Sequence, residues 1–228
     1  MDAKEKLLER EREIIRLLNI LADKKLDFII VGGYAIATYK KRLSIDLDLV
    51  IKEENLSEFE KVCKKEEYSE SYSKEISSLY GEKFKRFAKK IKGLEVSIDL
   101  MINGLASRST DAVWGFDYIK KNSAERELDG LIFPTPKREL LIAMKFHSGR
   151  LSDVRDIIAL MPCNEKELQK HILIGNIEKL KDNLKKQKIL LEKPQFKDSF
   201  KGIFGVFSYN EDDLEKTKQL IKKILNYN

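Results

Sequence analysis

VGGYAIATYKKRLSIDLDLVI, running from Val31 to Ile51, is the stretch on which the fold turns. It is entered from Phe28-Ile29-Ile30, a β-branched and aromatic run that reads as a short buried strand stopped at Gly32-Gly33. Tyr34 to Tyr39 reads as a brief helix and Ile45 to Ile51 as a second strand, so the order is strand, Gly-Gly, helix, strand. Side chains alternate faces along a strand. Asp46 and Asp48 therefore share one face, and Ile45, Leu47 and Leu49 take the other.

The segment EVSIDLM, Glu95 to Met101, repeats the device: Val96, Ile98 and Leu100 lie on one side, and Glu95, Ser97 and Asp99 on the opposite one. If the two strands are neighbours, the carboxylates of Asp46, Asp48 and Asp99 converge. Like charges that close raise one another's pKa unless a cation sits among them. Such oxygen donors suit a hard divalent ion, Mg²⁺ or Mn²⁺, which takes a few carboxylates together with water and substrate phosphates. Gly32-Gly33 fits the same chemistry, because residues without a Cβ let backbone amides approach a polyphosphate and the start of a helix adds its positive dipole end. The pair is not a Walker A loop, since the Gly-Lys-Ser/Thr ending is missing, and it is not G-x-G-x-x-G.

Working outward, Ala3 to Ala22 spaces Leu7, Leu8, Ile14, Ile15, Leu17, Leu18 and Leu21 as an amphipathic helix does. Asn55 or Ser57 is the expected cap of a helix through Cys63. KFKRFAKK, Lys83 to Lys90, reads as a solvent-facing strand that turns at Lys92-Gly93. Asp129-Gly130 predicts a tight hairpin turn before a strand from Leu131 to Phe133, which Pro134-Thr135-Pro136 should end. From Lys137 onward the periodicity is helical, over Arg138 to Phe146, Ser152 to Leu160, Glu165 to Ile174, Ile177 to Leu191 and Asp212 to Leu225. Phe196, Phe200, Phe204 and Phe207 add apolar side chains before the last of these. The expected class is α/β (α+β): a small mixed sheet with flanking helices over 1–135, then a mainly helical region over 136–228 that completes the cleft.

Composition narrows the functions. With 42% hydrophobic residues among 228, the chain can bury a core and is not a disordered protein. It has no apolar run of membrane length, and MDAKEKLLERERE is charged where a secretory signal would be apolar, so a cytoplasmic protein is expected. Cys63 and Cys163 lie a hundred positions apart, and His147 and His171 are the sole histidines; this excludes a disulfide framework and argues against a thiol or zinc enzyme. Lys and Arg exceed Asp and Glu by 44 to 38, and residues 164–228 hold 14 Lys against 10 acids. That excess suits a polyanion such as RNA as well as it suits a solvated surface. Charged residues at 36%, rich in Lys and Glu, are the composition expected of a thermophilic source.

The string from Val31 to Ile51 resembles the signature of the DNA polymerase β-like nucleotidyltransferase superfamily: an apolar residue, Gly, Gly or Ser, a spacer, then Asp, apolar, Asp or Glu, apolar. Here the spacer is twelve residues. Arg42-Leu43-Ser44-Ile45-Asp46-Leu47-Asp48 is similar to the Arg-x-Ser/Thr-x-Asp-x-Asp of the abortive-infection toxin-like (AbiEii/AbiGii type) branch. The segment from Lys145 through Arg150, Asp153 and Asp156 resembles that branch's second, helical motif. The resemblance covers about residues 28–160 and implies a Mg²⁺-dependent (or Mn²⁺-dependent) enzyme. Such an enzyme moves a nucleoside monophosphate from an NTP to an acceptor, which is an RNA end such as tRNA, a protein hydroxyl or a small molecule, and releases pyrophosphate. It further implies that Asp46 and Asp48 hold the metal and that Asp99 completes the site and helps deprotonate the acceptor. Gly32, Gly33 and Ser44 would meet the phosphates, Lys145 would neutralise the triphosphate, and Asp153 or Asp156 would orient the acceptor or Lys145. The alternatives are a degenerate NTP-binding module of a toxin–antitoxin-like system, or a metal-dependent phosphodiesterase.

Other residues have plainer readings beside these. On a continuous helix Lys145 and Asp156, eleven positions apart, lie about 20° from one azimuth, whereas Gly149 would interrupt that helix. Asp153 and Asp156 can also pair with Arg150 and Arg155. His147 has no partner for a triad. Trp114, Phe116 and Tyr118 are read as core or wall, or as a stacking platform for a base.

Overall fold

The computed structural model describes residues 3–72, 84–205 and 209–227. Lys83 and Phe207 lie outside the described residues. Two compact units are present: Met1–Ala35, Ser44–Leu105 and Trp114–Pro136 form the first, and Ile36–Leu43, Ala106–Val113 and Lys137–Asn228 the second. The chain passes between them last at Pro136 to Lys137, and segments 36–43 and 106–113 also belong to the second unit.

In the first unit, α1 (Ala3–Asp23) buries Ile14, Leu17, Leu18 and Leu21 along one stripe, as the helical period requires. β1 (Phe28–Val31) is buried throughout, and α2 (Gly32–Ala37) follows at once, two residues earlier than expected. β2 spans Asp46–Ile51, α3 Leu56–Lys65, β3 Ser69–Tyr72, β4 Phe84–Ile91 and β5 Leu94–Ile102. These strands form one mixed sheet in the order β1-β2-β5-β4-β3, with β2 and β5 parallel and the other pairs antiparallel. β4 is an inner strand, so Phe84 and Phe87 are buried and it does not simply face solvent. Asn55 occupies the N-cap position of α3, but a 3₁₀ turn, Glu53–Asn55, feeds the helix, Asn55 is itself helical and its side chain makes no capping bond; Ser57 lies inside the helix.

Lys92 and Gly93, at φ +48° and +84°, make the two-residue turn between β4 and β5. Chain then runs through β6 (Gly104–Ser107), β7 (Ala112–Gly115) and α4 (Phe116–Lys121), where Trp114 and Phe116 are core and Tyr118 is half-buried. β8 (Ser123–Leu128) and β9 (Leu131–Pro136) pair across Asp129-Gly130, at φ +51° and +82°. β9 does not end at Pro134. The pair flanking a two-residue turn is hydrogen-bonded and the pairs then alternate, which puts Pro134 and Pro136 at positions where no N–H is needed.

The second unit is helical: α5 (Arg138–Ser148), α6 (Val154–Ala159), α7 (Glu165–Ile172), α8 (Ile177–Leu191), α9 (Phe196–Phe204) and α10 (Glu211–Leu225). Its core is Leu140, Phe146, Ile157, Leu168, Leu184 and Ile221 with their neighbours. Asn164, Asn176 and Asn210 cap α7, α8 and α10 by accepting from the backbone N–H groups of the first turn. The helix expected from Ser152 starts instead as a 3₁₀ turn, Leu151–Asp153. None of the described helices is long and apolar enough to cross a membrane.

Candidate active site

The register of the sheet builds the site. In the β2–β5 ladder Asp48 stands directly opposite Asp99 and Asp46 opposite Ser97, so three carboxylates come to one face. One oxygen from each of Asp46, Asp48 and Asp99 lies within 4.8 Å of the others. Asp46 and Asp48 are half-buried and Asp99 is 3% exposed. All three donors are hard oxygens in reach of a single small ion, and two are open to solvent; the set fits Mg²⁺ or Mn²⁺.

Gly32 abuts the trio. It has φ +61°, and a Cβ built on it would lie 1.8 Å from Asp48 Oδ2. Val31 pairs with Asp48 in the β1–β2 ladder, which is why the turn after β1 runs against that carboxylate. Position 32 thus requires glycine both for its backbone and for its neighbour. Gly33 is buried in the first turn of α2, and Ser44 Oγ lies 3.4 Å from Asp46 Oδ1 and 3.3 Å from the Asp46 carbonyl.

A cation that the sequence reading missed sits among the acids. Arg86 of β4 stands opposite Asp99 in the β4–β5 ladder. Its guanidinium donates through Nε to Asp99 Oδ1 at 2.6 Å and through Nη2 to Oδ2 at 2.5 Å, the two-pronged geometry that arginine alone offers a carboxylate. Nη2 is also 3.9 Å from Asp46 Oδ2. Burial pushes the Asp99 carboxyl above the ordinary carboxylate value; Arg86 pulls it back, and the charges of Asp46 and Glu95 push with burial. The signal was strand alternation in KFKRFAKK, where Lys85, Phe87 and Lys89 take one face and Arg86 the other.

The remaining candidates meet in the second unit. α5 ends at Ser148, with Gly149 left-handed at φ +68°, so Lys145 and Asp156 do not share a continuous helix. The break folds α6 back, and Lys145 Nζ pairs with Asp153 Oδ1 at 3.1 Å and Asp156 Oδ2 at 2.8 Å. Asp156 Oδ1 accepts from Arg42 Nη1 at 2.5 Å, and Asp153 Oδ2 from Ser148 Oγ at 2.5 Å and Arg150 Nε at 3.0 Å. Lys145, Asp153 and Asp156 are all buried. Burial alone would raise the Asp153 carboxyl, but Lys145, Arg150 and the Ser148 hydroxyl outweigh it and hold it below the usual range. For Lys145 burial would lower the ammonium, and Asp156 and Asp153 reverse the sign. Arg155 reaches elsewhere, donating to the Ser199 carbonyl at 2.7 Å. His147 is a packed residue: Thr110 Oγ1 is 2.7 Å from Nδ1, and Nε2 is 3.0 Å from the Ile172 carbonyl.

No family model and no curated protein matches the chain. Among solved structures it is similar to the lincosamide antibiotic adenylyltransferase LnuA with lincomycin bound, at 16% identity over 66% of this chain and 95% of that one, with a TM-score of 0.47. It is also similar to a putative nucleotidyltransferase from Thermotoga maritima, at 18% identity over 75% and 96% of the two chains and a TM-score of 0.46. An antigenic nucleotidyltransferase-like protein from Paracoccidioides brasiliensis aligns at 17% identity over 85% and 92%, with a TM-score of 0.49. These neighbours are nucleotidyltransferases by description. They are remote, and the chemistry of the site rests on its own residues.

Proposed function

We propose that the chain is a divalent-metal-dependent nucleotidyltransferase of the polymerase β-like kind, in the abortive-infection toxin-like branch. The observation that carries this reading is the convergence of Asp46, Asp48 and Asp99 on one sheet face, with Gly32 held against Asp48. The reaction is attack of an acceptor oxygen on the α-phosphorus of an NTP. A new P–O bond forms, the bond to the β,γ-pyrophosphate breaks, and the acceptor proton passes to a base. Asp46, Asp48 and Asp99 would hold Mg²⁺ or Mn²⁺. When bound, such an ion supplies charge neutralisation for the phosphates and the departing oxygen, as phosphoryl transfer requires.

The chain's own groups divide the rest of the work. Gly32 and Gly33 open the backbone to phosphate oxygens, and the Ser44 hydroxyl lies beside the same carboxylates. Asp99, the third carboxylate of the cluster, would help to take the acceptor proton. Lys145 would carry triphosphate charge; since Asp153 and Asp156 now compensate its ammonium, that role requires it to exchange a carboxylate for a phosphate oxygen. The net charge of +6 and the basic 164–228 segment favour an RNA acceptor over a protein hydroxyl or a small alcohol. A cytoplasmic, thermophilic setting belongs to the same reading.

Incubation with each α-labelled NTP, Mg²⁺ or Mn²⁺, total RNA and cell lysate tests it. Label should enter RNA and pyrophosphate should appear. NTP binding with no pyrophosphate released would instead identify a degenerate binding module, and release of mononucleotides a phosphodiesterase.

A further inference from the structure

The acid trio is satisfied in part by the protein itself. Among the described residues, Arg86 takes both oxygens of Asp99, the most buried of the three acids. Two other cations of β4 pair away from this face, Lys85 with Glu60 of α3 at 2.5 Å and Lys89 with Glu13 of α1 at 2.5 Å, while Lys90 stands opposite Glu95 in the β4–β5 ladder. Arg86 is 22% exposed at the side chain, so its charge acts in a partly desolvated setting where a unit charge is felt strongly at 4–5 Å.

We propose that Arg86 is the chain's own counter-ion for the trio: it fixes Asp99 on the shared face and competes with divalent cations for it, thereby weakening their binding. This rests on the metal-dependent reading of the site and goes beyond it, because it assigns to Arg86 the setting of metal affinity. Arg86 is a positioning residue, touching the metal-holding carboxylates and not the reacting atoms. Two consequences are opposite in sign. Without Arg86 the trio has a larger uncompensated charge, so the folded chain is weaker when no metal is present; the same excess draws a divalent ion more tightly.

The experiment is titration of the full chain with Mn²⁺ alone at fixed ionic strength, followed by the loss of the free-ion paramagnetic resonance signal, for wild type, Arg86→Met and Arg86→Lys. Removing the unit charge that grips Asp99 should tighten Mn²⁺ binding by about tenfold in Arg86→Met, while Arg86→Lys, which keeps the charge, stays within about threefold of wild type. Where Arg86→Met is unfolded alone, added Mn²⁺ should restore its far-ultraviolet dichroism. Binding in Arg86→Met equal to or weaker than in wild type, or an unfolded variant that Mn²⁺ does not restore, overturns the inference and leaves the metal reading intact. Absence of Mn²⁺ binding from wild type and both variants overturns the metal reading and the inference with it.

Discussion

Gly32 and Asp48 compete for the same space: a Cβ on residue 32 would fall 1.8 Å from the Asp48 carboxylate oxygen. Two costs attach to Gly32→Ala, a left-handed backbone at φ +61° and the displacement of Asp48. Together they should destabilise the chain by about 2–4 kcal/mol and abolish turnover. Because the clash has a named partner, the penalty should shrink in an Asp48→Ala background; denaturant unfolding of the double-mutant cycle measures the coupling.

The three acids should respond differently to neutralisation. Asp46→Asn and Asp48→Asn remove like charge from the trio, so melting temperatures should stay near or rise above wild type. Asp99→Asn takes from Arg86 the carboxylate it grips with both prongs and should cost about 2–4 kcal/mol. Thermal melts of the three variants in chelator separate these outcomes; equal losses in all three would mean the ladder geometry does not hold.

Much of this arrangement was legible in the sequence. The period-two pattern of Ile45 to Ile51 and of Glu95 to Met101 put Asp46, Asp48 and Asp99 on polar faces, and Gly32-Gly33 marked the turn. Which strands are neighbours was not legible, and with it went Arg86: in a string carrying five cations, only the pairing of Arg86 with Asp99 says which one meets the acids. β8 was implied only by the hairpin turn at Asp129-Gly130, because Glu125, Arg126 and Glu127 carry no strand pattern of their own; its strand conformation comes from pairing with β9. In α9 the spacing of Phe196, Phe200 and Phe204 is helical, and the rings of Phe200 and Phe204 stack at 4.4 Å, although the sequence reading took these residues only as added apolar side chains. Gly149 was correctly suspected as a helix break, but the fold-back that returns Asp153 and Asp156 to Lys145 depends on packing and not on local sequence.

That second cluster makes its own prediction. Lys145→Met would leave buried Asp153 with Arg150 and buried Asp156 with Arg42 as their remaining paired cations, which should cost about 3–5 kcal/mol. Urea unfolding is the check. A loss below about 1 kcal/mol would show that the network is not the structural link its burial implies.

Acid should expose His147. Burial pulls its pKa from 6.5 down to about 4, so the folded chain keeps it neutral while the unfolded chain takes up a proton. A depressed histidine pKa gives stability that is complete above about 6.5 and is lost as pH falls towards 4, by up to about 3 kcal/mol. His171 is shifted the same way and steepens the slope. Asp153, held below the usual carboxylate value, adds its loss only at lower pH. Unfolding free energies of His147→Gln measured across pH 4–7 should show a markedly flatter profile than wild type; an unchanged slope would contradict the assignment.

The decisive measurement is pyrophosphate release from NTP by the wild-type chain, by Asp46→Asn and by Asp48→Asn, with Mn²⁺ or Mg²⁺ and again in chelator. The account predicts release from wild type only, dependent on the added ion, with both variants folded and silent. Release that survives chelation, or that persists in either aspartate variant, would contradict it.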